Sequence, residues 1–235
     1  MNRYLNLLLD PAALRAFLTW PVFSITSFQM VSSLARQGIH PRTIVDVGAN
    51  VGQFAIAGAK IFPDAKVYSF EPLPEAAASL KHRALPNMHV INAALGEKIG
   101  RAGLRVNSHT QSSSLLALGD THLDAFPDEK EVRCVDVEMT TLDSVSIDLV
   151  PPVLLKLDVQ GYETMVLAGA KRTLERCDYV VIEMSMTPMY EGETTFTDML
   201  ALMHDYGFRF LRPVGWLAHP QTGAILQMDG LFARS

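Results

Sequence analysis

The stretch Thr43-Ile-Val-Asp-Val-Gly-Ala-Asn-Val-Gly-Gln-Phe-Ala55 decides the fold. Three β-favouring residues lead into Asp46, as expected of a parallel strand buried on both faces. Gly48, Asn50 and Gly52 then form a tight turn, and small residues suited to a helix follow. Open α/β sheets bind nucleotides at such a strand-turn-helix junction, because glycine lets the backbone approach the ligand closely.

The turn also narrows the ligand. A dinucleotide site uses G-x-G-x-x-G to gather amides around a pyrophosphate. This loop reads D-x-G-x-N-x-G, with Asn50 where a second glycine could sit and Val51 beside it. An acid at the mouth suits a ligand that carries an ammonium group and no phosphate, such as S-adenosylmethionine (SAM). A second strand, Lys66-Val-Tyr-Ser-Phe-Glu-Pro72, ends in Glu71. Doubly wound folds place a ribose-binding carboxylate about 20 residues past the glycine turn. An ionised carboxylate accepts both hydrogen bonds of a vicinal diol. Pro72 stops the strand, since it cannot donate to a ladder.

Composition sets the outer bounds. The chain has 235 residues, 49% hydrophobic and 19% charged, enough for one α/β domain with a full core. Its net charge of −5, with no basic stripe, argues against a nucleic-acid partner. Cys134 and Cys177 lie far apart without CxxC spacing, which suggests a reduced cytoplasmic protein. The histidines show no paired ligand spacing, so no metal is expected. The apolar run Leu5–Leu9 is cut by Asp10 and Pro11, far short of a membrane span. Residues 12–20 and 24–37 read as two amphipathic helices: a helical cap over residues 1–40, with weak membrane-surface contact as the other reading.

Beyond the cap, residues 41–235 read as one domain. Strands are expected at 43–48, 66–71, 88–93, 153–158 and 179–184, with helices near 52–61, 74–84, 162–176 and 195–206. That alternation gives a mostly parallel sheet with helices on both faces. Residues 208–212 and 225–232 are strands with no helix between them, hence a C-terminal antiparallel hairpin. Residues 97–137 break the rhythm with a polar patch, a charged loop and short strands near 101–106 and 132–137. Long insertions at the C-terminal edge of a sheet are often functional.

The pieces VDVGANVGQFA (45–55), YSFEP (68–72), NAALGE (92–97), QSSSL (111–115), VDVEMTTLDS (135–144), LLKLDVQGYETMVLAGA (154–170), VIEMSMTPMYEGE (181–193) and QMDGLFARS (227–235), in this order, resemble the FkbM family of SAM-dependent methyltransferases. The family often has Glu where this chain has Gln160. The resemblance implies a Rossmann-like class I methyltransferase fold and methyl transfer from SAM, usually to a hydroxyl of a sugar, glycan, polyketide or other natural product. It implies that Asp46, Gly48, Asn50 and Gly52 hold the methionine end and that Glu71 and Pro72 lie at the ribose. Asn92, Ala93 and Ala94 would sit by the adenine, and Ser113 and Ser114 would line the site.

For the chemistry, Lys156 and Asp158 fall at the end of the central strand, where charges must pair or face the site. Asp158 is the candidate catalytic group, orienting the acceptor or taking its proton. The alternative is a salt-bridge network of Lys156 and Asp158 with Glu163 or Glu183. Gln160, Glu183, His109 and Tyr190 complete the expected substrate lining. Asp158 with Glu183 forms a thin basis for a cation site. Two rivals remain: a nicotinamide-dependent reductase, which lacks its phosphate glycines here, and a non-catalytic SAM-binding subunit. N-methylation would change only the acceptor. An oligomer is possible.

Overall fold

The computed structural model describes residues 10–235. Residues 1–9 of the expected cap, with the Leu5–Leu9 run, lie outside the described residues. Helix α1 (Pro11–Thr19) starts where sequence chemistry says it should. The Asp10 side chain accepts the Ala12 and Ala13 amides, and Pro11 opens the first turn. Helix α2 (Ile25–Arg36) is capped by Ser24 and buries Met30, Val31 and Leu34 in the same core layer as Ile44, Phe54 and Ile56. Among the described residues, no helix is long and apolar enough to cross a membrane.

The alternating part follows as β1 (Thr43–Val47), α3 (Gln53–Ile61), β2 (Lys66–Phe70), α4 (Pro74–Arg83) and β3 (Met88–Ile91). After the insertion come β7 (Val153–Leu157), α6 (Glu163–Ala168), α7 (Lys171–Leu174), β8 (Tyr179–Ser185) and α8 (Phe196–Asp205). The chain ends with β9 (Phe208–Ala218) and β10 (Ile225–Arg234). The seven-stranded sheet has the order β3-β2-β1-β7-β8-β10-β9. Strands β3, β2, β1, β7 and β8 pair in parallel, and β10 runs antiparallel to both β8 and β9. All five residues of β1 and of β7 are buried, which explains their largely apolar sequences, interrupted by Thr43, Asp46 and Lys156. Two apolar layers cover the sheet, one around Leu155, Phe70 and Met203, the other around Ile44, Phe54 and Leu154.

Four boundaries differ from expectation, each for a local reason. The strand expected at 88–93 stops at Ile91, and Ala94–Leu95 (β4) turns into a second sheet. There β4 pairs parallel to β6 (Glu131–Thr140), and β6 pairs antiparallel to β5 (Gly100–Asn107). The insertion's short strands are thus a long ribbon. Between its arms lie a 3-10 turn at Thr110–Ser112 and helix α5 (Asp120–Ala125). The helix expected over 162–176 breaks at Gly169-Ala170, and the Gly96 carbonyl packs so close to residue 169 that only glycine fits there. Strand β9 continues through Pro213; it is the sheet edge, where a missing amide N–H costs no ladder bond.

Candidate active site

A cleft of about 1140 Å³ opens over the C-terminal ends of β1, β2, β7 and β8. Helix α2's first turn, the insertion and the facing parts of β9 and β10 complete its walls. Strand order reverses between β1 and β7, so the topological switch point lies here.

The first loop is shaped by backbone geometry. Gly48 has φ +82°, and a Cβ there would run into the Asp158 carbonyl oxygen. Two strand ends therefore touch through a residue without a side chain. Asn50 has φ +47°, a conformation asparagine tolerates, and its Oδ1 accepts the Val51 amide. Gly52 caps α3 with φ +99° and packs on Leu80; it shapes the turn and does not line the cleft.

Glu71 lines the cleft and also ties the loops together. Its Oε2 accepts the Asn50 amide at 2.7 Å and its Oε1 the Leu73 amide at 2.8 Å. Burial pushes its carboxyl up to about 7, against the pull of those two amides. Pro72, Ala93 and Ala94 lie on the adjoining wall. Asn92 is exposed and off the wall. Its amide donates to the Glu71 and Pro72 carbonyls and braces the loop.

Charge dominates the floor. Asp46 is 0% exposed, and among the described residues neither of its carboxylate oxygens has a hydrogen-bond partner. Burial pushes it up to about 6, partly offset by Lys156. Lys156 Nζ lies 3.7 Å from Asp46 Oδ1 and 3.0 Å from Asp158 Oδ2. Burial would lower the Lys156 ammonium, but Asp158, Asp46 and Asp229 together hold it above its usual value. Asp158 Oδ1 accepts Gln160 Nε2 at 2.7 Å, and the same amide donates to Glu183 Oε2 at 2.8 Å. Burial, with Asp158 and Asp229 close by, raises Glu183 well above the carboxylate range. Gln160 itself sits at φ +58° and holds four groups. Besides the two acids, its Oε1 accepts the Tyr190 hydroxyl at 2.6 Å and its carbonyl accepts Ser114 Oγ at 2.6 Å.

The cleft thus gathers Asp46, Gly48, Asn50, Glu71, Pro72, Ala93, Ala94, His109, Ser113, Ser114, Lys156, Asp158, Gln160 and Glu183 along its walls. Tyr190, expected on the lining, is instead 1% exposed and buried behind Gln160, where the hairpin of loops packs it against Leu116 and Met189. His109 lies on the rim, its side chain 77% exposed. Asp229, Gln227, His122, Glu129 and Trp216 were missed. Asp229 on β10 is the register partner of Glu183 and is pushed up to about 6 by burial and by Asp158. Its only sequence signal was the QMDGLFARS segment, matched without a role. Among the described residues, no group of three His, Cys, Asp or Glu is arranged to hold a metal ion.

These features fit SAM on the structure's own terms. The buried Asp46 oxygens beside the glycine turn have Lys156 at 3.7 Å and no closer donor among the described residues, which leaves capacity to accept from a ligand's ammonium. Asp46, Asp158 and Asp229 outnumber the one buried lysine, so the floor favours a cationic ligand. A parallel sheet with one antiparallel strand inserted next to its last member, and this floor at its switch point, defines a class I methyltransferase. Residues 46–210, well over half the chain, match the family model described as the methyltransferase FkbM domain, and the chain belongs to that family. It is 28% identical over 178 residues to the 2-O-methyltransferase NoeI of Sinorhizobium fredii, covering 69% of this chain and 71% of that protein. It is 25% identical over 203 residues to the 31-O-demethyl-FK506 methyltransferase FkbM of Streptomyces tacrolimicus, covering 74% and 76%. Its fold resembles magnesium protoporphyrin IX methyltransferase of Synechocystis, solved with bound SAM, at a TM-score of 0.51 and 13% identity over 90% of this chain and 81% of that one.

Proposed function

We propose that this chain transfers the methyl group of SAM to a hydroxyl of a sugar, glycan or natural-product acceptor. SAM is the cofactor of this methyltransferase. Its place in the cleft is carried by one observation, the fully buried Asp46 carboxylate beside the Gly48 turn, which has Lys156 at 3.7 Å but no hydrogen-bond donor among the described residues. Oxygen is favoured as the acceptor atom because both relatives above are named for O-methylation.

Asp46 and the turn at Asn50 hold the methionine end. Glu71 holds the ribose hydroxyls with the lone pairs its two amide bonds leave free. Ala93 and Ala94 form the flat wall for the base. Bound SAM supplies a sulfonium-activated methyl with a good leaving group. The protein's share is then chiefly positioning and charge. Asp158, fixed by Lys156 and Gln160, lies at the strand end and orients the acceptor. The exposed Trp216 face, Ser113 and the His109 rim line the acceptor side. The two free cysteines fit a reducing, cytoplasmic setting.

Calorimetry with SAM and with NADH, followed by methyl-labelled SAM with a panel of saccharides and hydroxylated natural products, tests the reading. SAM is expected to bind, NADH not, and label to appear as a methyl ether. NADH binding with no SAM heat, or label only on amines, would overturn it.

A further inference from the structure

The far side of the cleft carries an acid to which the scheme above gives no partner. Asp229 on β10 lines the cleft and is half-buried, with Glu183 on β8 and Gly215 on β9 as its register partners. Among the described residues its carboxylate has no hydrogen-bond donor, and Lys156 and Asp158 reach it only as charges at longer range. Gly215 makes the room for it. A Cβ at 215 would run into Asp229 Oδ2. Gly215 has no left-handed backbone that would call for glycine. The missing side chain instead lets the carboxylate lie over residue 215, one residue short of Trp216.

Trp216 is 60% exposed on the edge strand and lines the same cleft. An aromatic face beside an open carboxylate suits a ring with an apolar face and hydroxyl edges. The sheet order puts only β8 between β7 and β10. Asp229 thus stands two strand spacings, roughly 10 Å, from the strand that ends in Asp158. Asp46 and Glu71, the cofactor groups, lie on the opposite side, at the ends of β1 and β2. One six-membered ring with its hydroxyls spans the gap over β8. The walls also say what such a ring lacks. Among the described residues they carry no arginine and one lysine, which Asp46 and Asp158 already hold. A phosphate or carboxylate on the acceptor would meet acids and no free cation.

We infer that Asp229 and the Trp216 face, with the space left by Gly215, bind the acceptor as a neutral polyhydroxylated ring, a pyranoside without anionic substituents. Two ring hydroxyls donate to the Asp229 carboxylate, and the C–H face of the ring lies on the indole. The hydroxyl to be methylated is thereby held toward Asp158 and the cofactor side of the cleft. Asp229 sets specificity and moves no proton. The inference deepens the O-methyltransferase reading and rests on it.

Methyl hexopyranosides, their monodeoxy analogues and the matching hexuronides are the probes, with SAM for turnover and S-adenosylhomocysteine for calorimetry. The wild-type chain should bind and methylate the hexopyranosides and reject the hexuronides. Asp229→Asn should raise the acceptor KM about tenfold or more, the worth of a hydrogen bond to a charged group, with the SAM KM changed less than about threefold. It should also narrow the rejection of hexuronides. A merely structural role would move both KM values and the melting temperature together. Removing a ring hydroxyl that donates to Asp229 should cost affinity in the wild type and little in Asp229→Asn. Gly215→Ala should raise the acceptor KM as well, but not in an Asp229→Ala background, where no carboxylate meets the new methyl. That cycle decides the matter even if Asp229→Asn folds poorly. Unchanged acceptor KM and deoxy profile in Asp229→Asn, or a wild-type preference for hexuronides, overturns the inference and leaves the hydroxyl reading standing. Label found only on alcohols without a sugar ring likewise overturns the inference alone. Label found only on amines overturns both.

Discussion

Asp46 and Lys156 are register partners on adjacent parallel strands, both buried, with Nζ 3.7 Å from Oδ1. The lysine also holds Asp158, so one ammonium compensates several carboxylates at the switch point. Removing one member of a buried charge pair strands the other. Lys156→Met should therefore cost about 3–5 kcal/mol of stability. Urea unfolding of Lys156→Met, Asp46→Asn and the double variant checks this. The double variant should be less destabilised than the sum of the singles, and strict additivity would sever the link.

Stability should fall as pH rises, and Glu163 is the clearest source. It is buried, its Oε1 accepts the Val159 amide at 2.8 Å, and burial pushes its carboxyl from 4.5 to about 8. The folded state thus holds this proton more tightly than the unfolded chain. Its contribution is full below pH 4.5 and is lost as pH rises toward about 8. The melting temperature should be lower at pH 8.5 than at pH 6. Glu163→Gln keeps an acceptor for Val159 and removes the titration, so its profile should be flatter. An equal slope in both proteins would remove Glu163 as the cause.

Much of this was legible from local chemistry. The Asp46–Gly52 turn, Glu71 at the second strand end and the closing hairpin each follow from residue type and spacing, and each stands where expected. What escaped depends on contacts between distant segments. Gly169 looked like an ordinary helix residue until Gly96 was found against it. Tyr190 looked like a loop aromatic over the acceptor, but long-range packing buries it behind Gln160. His122 has no local motif, and Asp229 lies in a matched segment that names no role for it. Their places in the cleft come from the fold of the insertion onto Glu129 and from the register of β10 with β8.

Gly48→Ala should abolish SAM binding more completely than its size suggests. The residue sits at φ +82°, and a methyl there would meet the Asp158 carbonyl, which is backbone and cannot rotate away. The β1 loop and the β7 end must part, which separates Asp46 from its neighbours. A rise in SAM dissociation constant of 100-fold or more, about 2.7 kcal/mol, is expected by calorimetry. A folded Gly48→Ala protein with normal SAM affinity would show that the two strand ends are free to move apart.

Methyl transfer should survive a chelator, for a reason that lies in Gln160. Asp158 and Glu183 are the acids best placed to share a cation, but the Gln160 amide nitrogen donates to both, at 2.7 and 2.8 Å. A positive N–H pair occupies the space a hard cation would need between them. EDTA should leave the rate unchanged, and magnesium should not raise the melting temperature. Gln160→Glu reverses the logic. It replaces the donor with a third carboxylate and leaves Tyr190 able to donate to it. That variant should be less stable without metal and should gain melting temperature with millimolar magnesium. Loss of wild-type activity in EDTA, restored by magnesium, would refute the prediction and make Asp158 and Glu183 metal ligands.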